Sequence, residues 1–97
     1  MAIQASTEQE IQAELAKLPD WRREGNEIVR TLKFPGFGGS IAFVNAIAEE
    51  AEKADHHPDI LIQYNQVTLR LSTHDAGGLS SRDFSLAHTA DRLFQRA

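Results

Sequence analysis

The chain has 97 residues, 41% hydrophobic and 25% charged, close to the roughly 45% and 25% of ordinary globular domains, so disordered and collagen-like classes are excluded. A net charge of -4 argues against holding a nucleic-acid backbone by bulk electrostatics, and no direct nucleic-acid partner is expected. The absence of cysteine removes disulfides, thiolate metal sites and cysteine nucleophiles.

The length suits one domain over residues 1–97. No apolar run approaches the roughly 18 residues of a membrane span. M-A-I-Q-A-S-T-E-Q-E at the N-terminus has neither a basic nor an apolar region. The expectation is therefore a cytoplasmic protein with no membrane partner.

Thr7-Glu8-Gln9-Glu10 fits a capping box, and Ile11, Leu15 and Leu18 follow at helical spacing. This predicts a helix from about Glu8 to Lys17, ended by Pro19-Asp20. Trp21 to Glu24, Gly25-Asn26 and Glu27 to Phe34 read as a hairpin with a half-buried second strand. Pro35 to Ser40 is a breaker cluster leading into a long helix that ends near Ala54 or Asp55. Val44, Ile47, Ala48, Ala51 and Ala54 form its expected apolar stripe.

A second hairpin is expected from Ile60 to Tyr64 and Val67 to Ser72, with Asn65-Gln66 as its turn. Asp75 to Gly78 reads as a loop. Ser80 and Asp83 frame a capping signal for a last helix, whose stripe is Phe84, Ala87, Ala90, Leu93 and Phe94. The order α-β-β-α-β-β-α predicts an α+β fold: a four-stranded antiparallel sheet from two hairpins, with three helices on one face.

The stretch from Glu52 to Asp83 holds three of the four histidines. His56 and His57 are adjacent and precede Pro58, and His74 follows the second hairpin. The first strand of that hairpin starts where the second ends, so the three imidazoles can converge. Imidazole titrates nearest neutrality and suits acid/base work. The plainer alternative for His56 and His57 is a solvated helix exit whose rings complement the helix dipole, and His74 alone reads as a surface residue.

Asp83 either completes the capping box or, turned inward, orients an imidazole. Glu52 and Asp55 read as solvated helix-end acids, with support of the histidine pair as the other option. His88 falls opposite the last helix's stripe and reads as surface. Three histidines and a carboxylate also suit zinc, although the spacing matches no zinc signature.

The pattern Glu52-x3-His56-His57-Pro58-x5-Tyr64-x9-His74-x8-Asp83, with the words D-H-H-P, Y-N-x-V, L-S-T-H and G-L-S-x-R-D, resembles the pterin-4a-carbinolamine dehydratases. That family is also known as the dimerisation cofactor of a hepatocyte homeodomain activator. The resemblance extends upstream through Leu18-Pro19, Trp21 and Phe34 to Phe37. The Pro35 to Gly39 segment is richer in glycine than the family pattern, and Ile60 stands where the family has an aromatic.

The resemblance implies dehydration of 4a-hydroxytetrahydropterin to quinonoid dihydropterin, recycling the pterin of aromatic amino acid hydroxylases. It implies a homo-oligomer, dimer or tetramer, and neither a metal nor an organic cofactor. His56, His57 and His74 are then the active-site histidines and Asp83 their supporting carboxylate. Glu52, Asp55, Ser72 and Thr73 are expected to contact the pterin substrate. The principal alternatives are a non-catalytic dimerisation or binding module and a histidine-ligated zinc hydrolase.

Overall fold

A computed structural model describes residues 3–97, in the order α1 (Glu8–Leu15), β1 (Arg22–Glu24), β2 (Glu27–Lys33), α2 (Phe37–Ala54), β3 (Asp59–Gln63), β4 (Gln66–Leu71) and α3 (Ser81–Arg96). A 3-10 turn, His74–Ala76, occupies part of the expected loop before α3. The four strands form one antiparallel sheet in the order β1-β2-β4-β3. The predicted α+β architecture is therefore present.

One face of the sheet carries the core. Ile28 pairs with Leu71 and Leu32 with Val67, and these residues, with Leu69, are buried against Phe43, Ile47 and Ala51 of α2 and Phe84, Ala87 and Ala90 of α3. All three helices contribute to this core, α1 through Ile11. Cross-strand partners share a face, so a single alternating pattern commits that whole face to the helices.

Thr7 caps α1 as expected. Its side chain accepts from the Glu10 backbone while the Glu10 carboxylate accepts from the Thr7 backbone. The helix stops at Leu15, short of the predicted Lys17, because tight turns bring Lys17 N–H to the Glu14 carbonyl and Leu18 N–H to the Leu15 carbonyl. Leu18 is fully buried there.

In α2 the buried line is Ser40, Phe43, Ile47 and Ala51, which keeps Ile47 and Ala51 of the predicted stripe, with Val44 partly buried against the core. Ala48 and Ala54 are exposed. The stripe turns with the helix's 3.6-residue period, so its axis runs through Phe43 and leaves those two alanines on the flanks. Gly39 belongs to the first turn of α2, where an added Cβ would stand 3.2 Å from Phe34 Cβ. That close approach lets Phe34 join Phe43 and Phe94 in one aromatic group, with ring centroids 5.3 to 6.4 Å apart.

The second hairpin turns on Tyr64-Asn65, one residue earlier than predicted, with Gln63 opposite Gln66. Tyr64 adopts the left-handed region at φ 52°. The turn is held by the buried Ser40, whose hydroxyl donates to the Tyr64 carbonyl at 2.8 Å, and by Phe34 N–H on the Asn65 carbonyl at 2.8 Å. Those tertiary bonds choose the register that local turn preference left open. Among the described residues, no helix is long and apolar enough to cross a membrane.

Candidate active site

The exit of α2 sets the geometry of the histidine pair. Asp55 takes a left-handed conformation at φ 50°, with its N–H on the Glu52 carbonyl and the His56 N–H on the Ala51 carbonyl. This is the pattern of a Schellman helix end. The chain reverses there, and the two neighbouring imidazoles part: His56 is buried, at 8% exposure, while His57 is open to solvent. The following Pro58 favours the extended entry into β3.

Each imidazole meets its own carboxylate. His56 Nε2 lies 2.6 Å from Asp83 Oδ1, both buried. His57 Nε2 lies 2.6 Å from Glu52 Oε1, both exposed. Asp83 is also the acidic member of the α3 capping box, so the helix cap and the histidine contact coexist. Its Oδ2 accepts the Ser80 backbone N–H at 3.0 Å and the Thr73 hydroxyl at 2.8 Å, and the Thr73 and Ser80 hydroxyl oxygens stand 2.6 Å apart.

His74 opens the turn after β4, beside the start of β3 as the antiparallel pairing requires. A cleft of about 220 Å³ is lined by His56, His57 and His74 with Asp55, Ser72 and Thr73. Of the residues singled out in the sequence, Glu52 and Asp83 do not line the cleft: each holds one histidine, Asp83 from the buried side and Glu52 from solvent. Ile3, Asp75 and Arg82 also line the cleft; none is singled out as a site residue by the sequence, although Arg82 belongs to the word G-L-S-x-R-D. Asp75 and Arg82 adjoin His74 and Asp83, whereas nothing local marks Ile3. A larger groove of about 620 Å³ between α2 and α3 shares His56 and Arg82 with the cleft but reaches neither His57 nor His74.

His88 is half-buried rather than fully on the surface, with Nε2 3.9 Å from Glu14 Oε1, because α1 packs beside that flank of α3. It stands apart from the other three imidazoles, between α1 and α3. Among the described residues, no three His, Asp or Glu side chains converge in a metal-holding arrangement.

The cleft therefore offers three imidazoles, two already matched to carboxylates, which suits moving protons to and from one small substrate. Residues 4–93 match the family model for pterin 4 alpha carbinolamine dehydratase. A relative from Picosynechococcus sp. with the provisional name pterin-4-alpha-carbinolamine dehydratase is 55% identical over 87 residues, covering 90% of this chain and 95% of the relative.

The crystal structure of a transcriptional coactivator/pterin dehydratase from Brucella melitensis superposes with a TM-score of 0.89 at 32% identity, over 92% of this chain and 97% of that one. A pterin dehydratase-like protein described as a RuBisCO assembly factor in the alpha-carboxysome superposes with a TM-score of 0.67 at 26% identity, over 77% of this chain and 89% of that one. With its fold, its histidine cleft and the match over most of its length in agreement, this chain belongs to the pterin 4 alpha carbinolamine dehydratase family.

Proposed function

We propose that this protein dehydrates 4a-hydroxytetrahydropterin to quinonoid dihydropterin and water by histidine acid/base catalysis, within the recycling of tetrahydropterin for aromatic amino acid hydroxylation. The observation that carries this reading is the meeting of His56, His57 and His74 in one cleft of a chain that belongs to this family. In the reaction the C4a–O bond breaks and the oxygen leaves as water after receiving a proton. The neighbouring ring N–H gives up a proton as the C=N bond forms. One proton is delivered and one is taken, so no metal or organic cofactor is required.

His57 is the principal acid/base in this reading, since its exposure lets it exchange protons with water while Glu52 holds Nε2. His56 and His74 position the hydroxyl or share the transfer, with Asp83 orienting His56. Asp55 and Ser72 contact the pterin in this reading, which their lining of the same cleft supports. The homo-oligomeric state belongs to the same reading, and edge strand β3 with exposed Ile60 and Leu61, followed by exposed Tyr64 in the turn, supports it.

The test is loss of freshly prepared 4a-hydroxytetrahydropterin, followed with and without chelator. His57→Ala and His74→Ala should each slow turnover about 100-fold or more, the usual scale of general acid/base contributions, while circular dichroism stays native. Unchanged rates in both variants would overturn the site assignment, and loss of activity with chelator would favour the zinc reading.

A second reading, a module that assembles or stabilises other proteins, draws on the likeness to the described assembly factor. Absence of dehydratase activity, combined with a change in a partner's oligomeric state on sedimentation, would select it.

A further inference from the structure

The hydroxyl groups behind Asp83 settle where the protons of this cluster lie. Thr73 has one hydroxyl hydrogen, and it points at Asp83 Oδ2. The 2.6 Å contact between the Thr73 and Ser80 oxygens must then be filled by the Ser80 hydrogen. Ser80 Oγ in turn accepts the Arg82 backbone N–H at 3.3 Å. Every proton in this chain of bonds is directed toward Asp83.

The consequence reaches the imidazole. With Asp83 ionised, its two donors on Oδ2 leave Oδ1 as an acceptor only, which puts the proton of the 2.6 Å bond to His56 on Nε2. His56 then exchanges protons with a substrate through Nδ1 alone. The cluster is dry: Ser80 and Asp83 are fully buried, and Thr73 is 3% exposed. Aligned hydrogen bonds in such surroundings strengthen one another and are hard for water to replace.

Helix capping explains Ser80 and Asp83 but not Thr73, which stands after β4 and takes no part in the capping box. We infer that Thr73 is a positioning residue for the proposed dehydration: its hydroxyl, aligned by Ser80, holds Asp83 so that His56 keeps its proton on Nε2 and works through Nδ1. This rests on the dehydratase reading for its consequence in catalysis, though not for the proton arrangement itself.

Nitrogen-15 NMR of histidine-labelled full-length protein tests the arrangement directly. In the wild type, neutral His56 should show a protonated Nε2 and a bare Nδ1; the opposite tautomer would overturn the inference whether or not any dehydratase activity is found. Thr73→Val should mix the tautomers and lower kcat about tenfold with KM within about twofold, the scale of losing an outer hydrogen bond to a working group. Thr73→Ser should restore both readings. A Thr73→Val protein with wild-type tautomer and kcat, or a Thr73→Ser protein as impaired as the valine variant, would overturn the role of the hydroxyl. Should the valine variant not fold, the wild-type spectrum and the serine variant still decide.

Discussion

Asp83 and Glu52 each hold an imidazole at 2.6 Å, yet burial gives them different weight. Asp83 is fully buried and, besides its contact with His56, accepts from the Thr73 hydroxyl and from the backbone N–H of Ser80, the N-cap of α3. Asp83→Asn turns an amide NH2 or a weaker acceptor toward those donors. It should cost about 2 kcal/mol in urea unfolding as well as most of the turnover. Glu52 lies in solvent, where an ion pair is screened and competes with water. Glu52→Gln should leave stability within about 0.5 kcal/mol of wild type and lower turnover less than His57→Ala does. Equal destabilisation by the two substitutions would contradict this division.

At the scale of an element, the end of α2 does the most for the site. Asp55 occupies a left-handed position that glycine takes freely, aspartate tolerates and β-branched residues resist. Asp55→Gly should therefore stay within about 0.5 kcal/mol of wild type. Asp55→Val should lose about 1 to 2 kcal/mol, read from urea midpoints, because the branched side chain is strained at positive φ. Similar stabilities for the two variants would show that the chain can leave the helix another way. The hairpin of β3 and β4 then brings His74 back beside the pair, its turn pinned by Ser40 and Phe34 from outside the hairpin.

Across the whole molecule, the far end of α3 is anchored by a cluster that no local pattern announces. Asp91 Oδ1 accepts Trp21 Nε1 at 2.9 Å and Arg30 Nη1 at 2.5 Å, and the Arg30 guanidinium lies 5.0 Å from the Phe94 ring centroid. Arg30 and Asp91 are mostly buried, with 13% and 20% side-chain exposure. Asp91→Ala leaves the guanidinium and the indole N–H without that partner. It should cost about 2 kcal/mol by urea denaturation while the histidine cleft, at the opposite end of α3, keeps its geometry. The surface pairs contribute less: Arg70 and then Arg22 hold the Glu24 carboxyl below its ordinary range by hydrogen bonding in full solvent. Their effect is complete well above the usual carboxylate pKa, and is lost as pH falls through the lowered value or as salt screens the charges.

Much of this protein is legible in its residue order, because capping boxes, strand alternation and breakers are local rules. Thr7 with Glu10 and Ser80 with Asp83 announce two helix starts, and Val67, Leu69 and Leu71 announce the buried face of β4. Antiparallel pairing alone places His74 near His56 and His57.

Tertiary packing decided the rest. Which side of α2 is buried depends on where Phe43 meets Phe34 and Phe94, and the β3–β4 register depends on bonds from Ser40 and Phe34. The partition of two adjacent histidines between a buried and an exposed carboxylate follows from the left-handed backbone at Asp55. The buried half of that partition joins His56 to Asp83 across 27 residues, and the Thr73 bond to Asp83 ties the end of β4 to the start of α3. Sequence spacing does not encode such contacts, since they exist only after the helices have closed over the sheet.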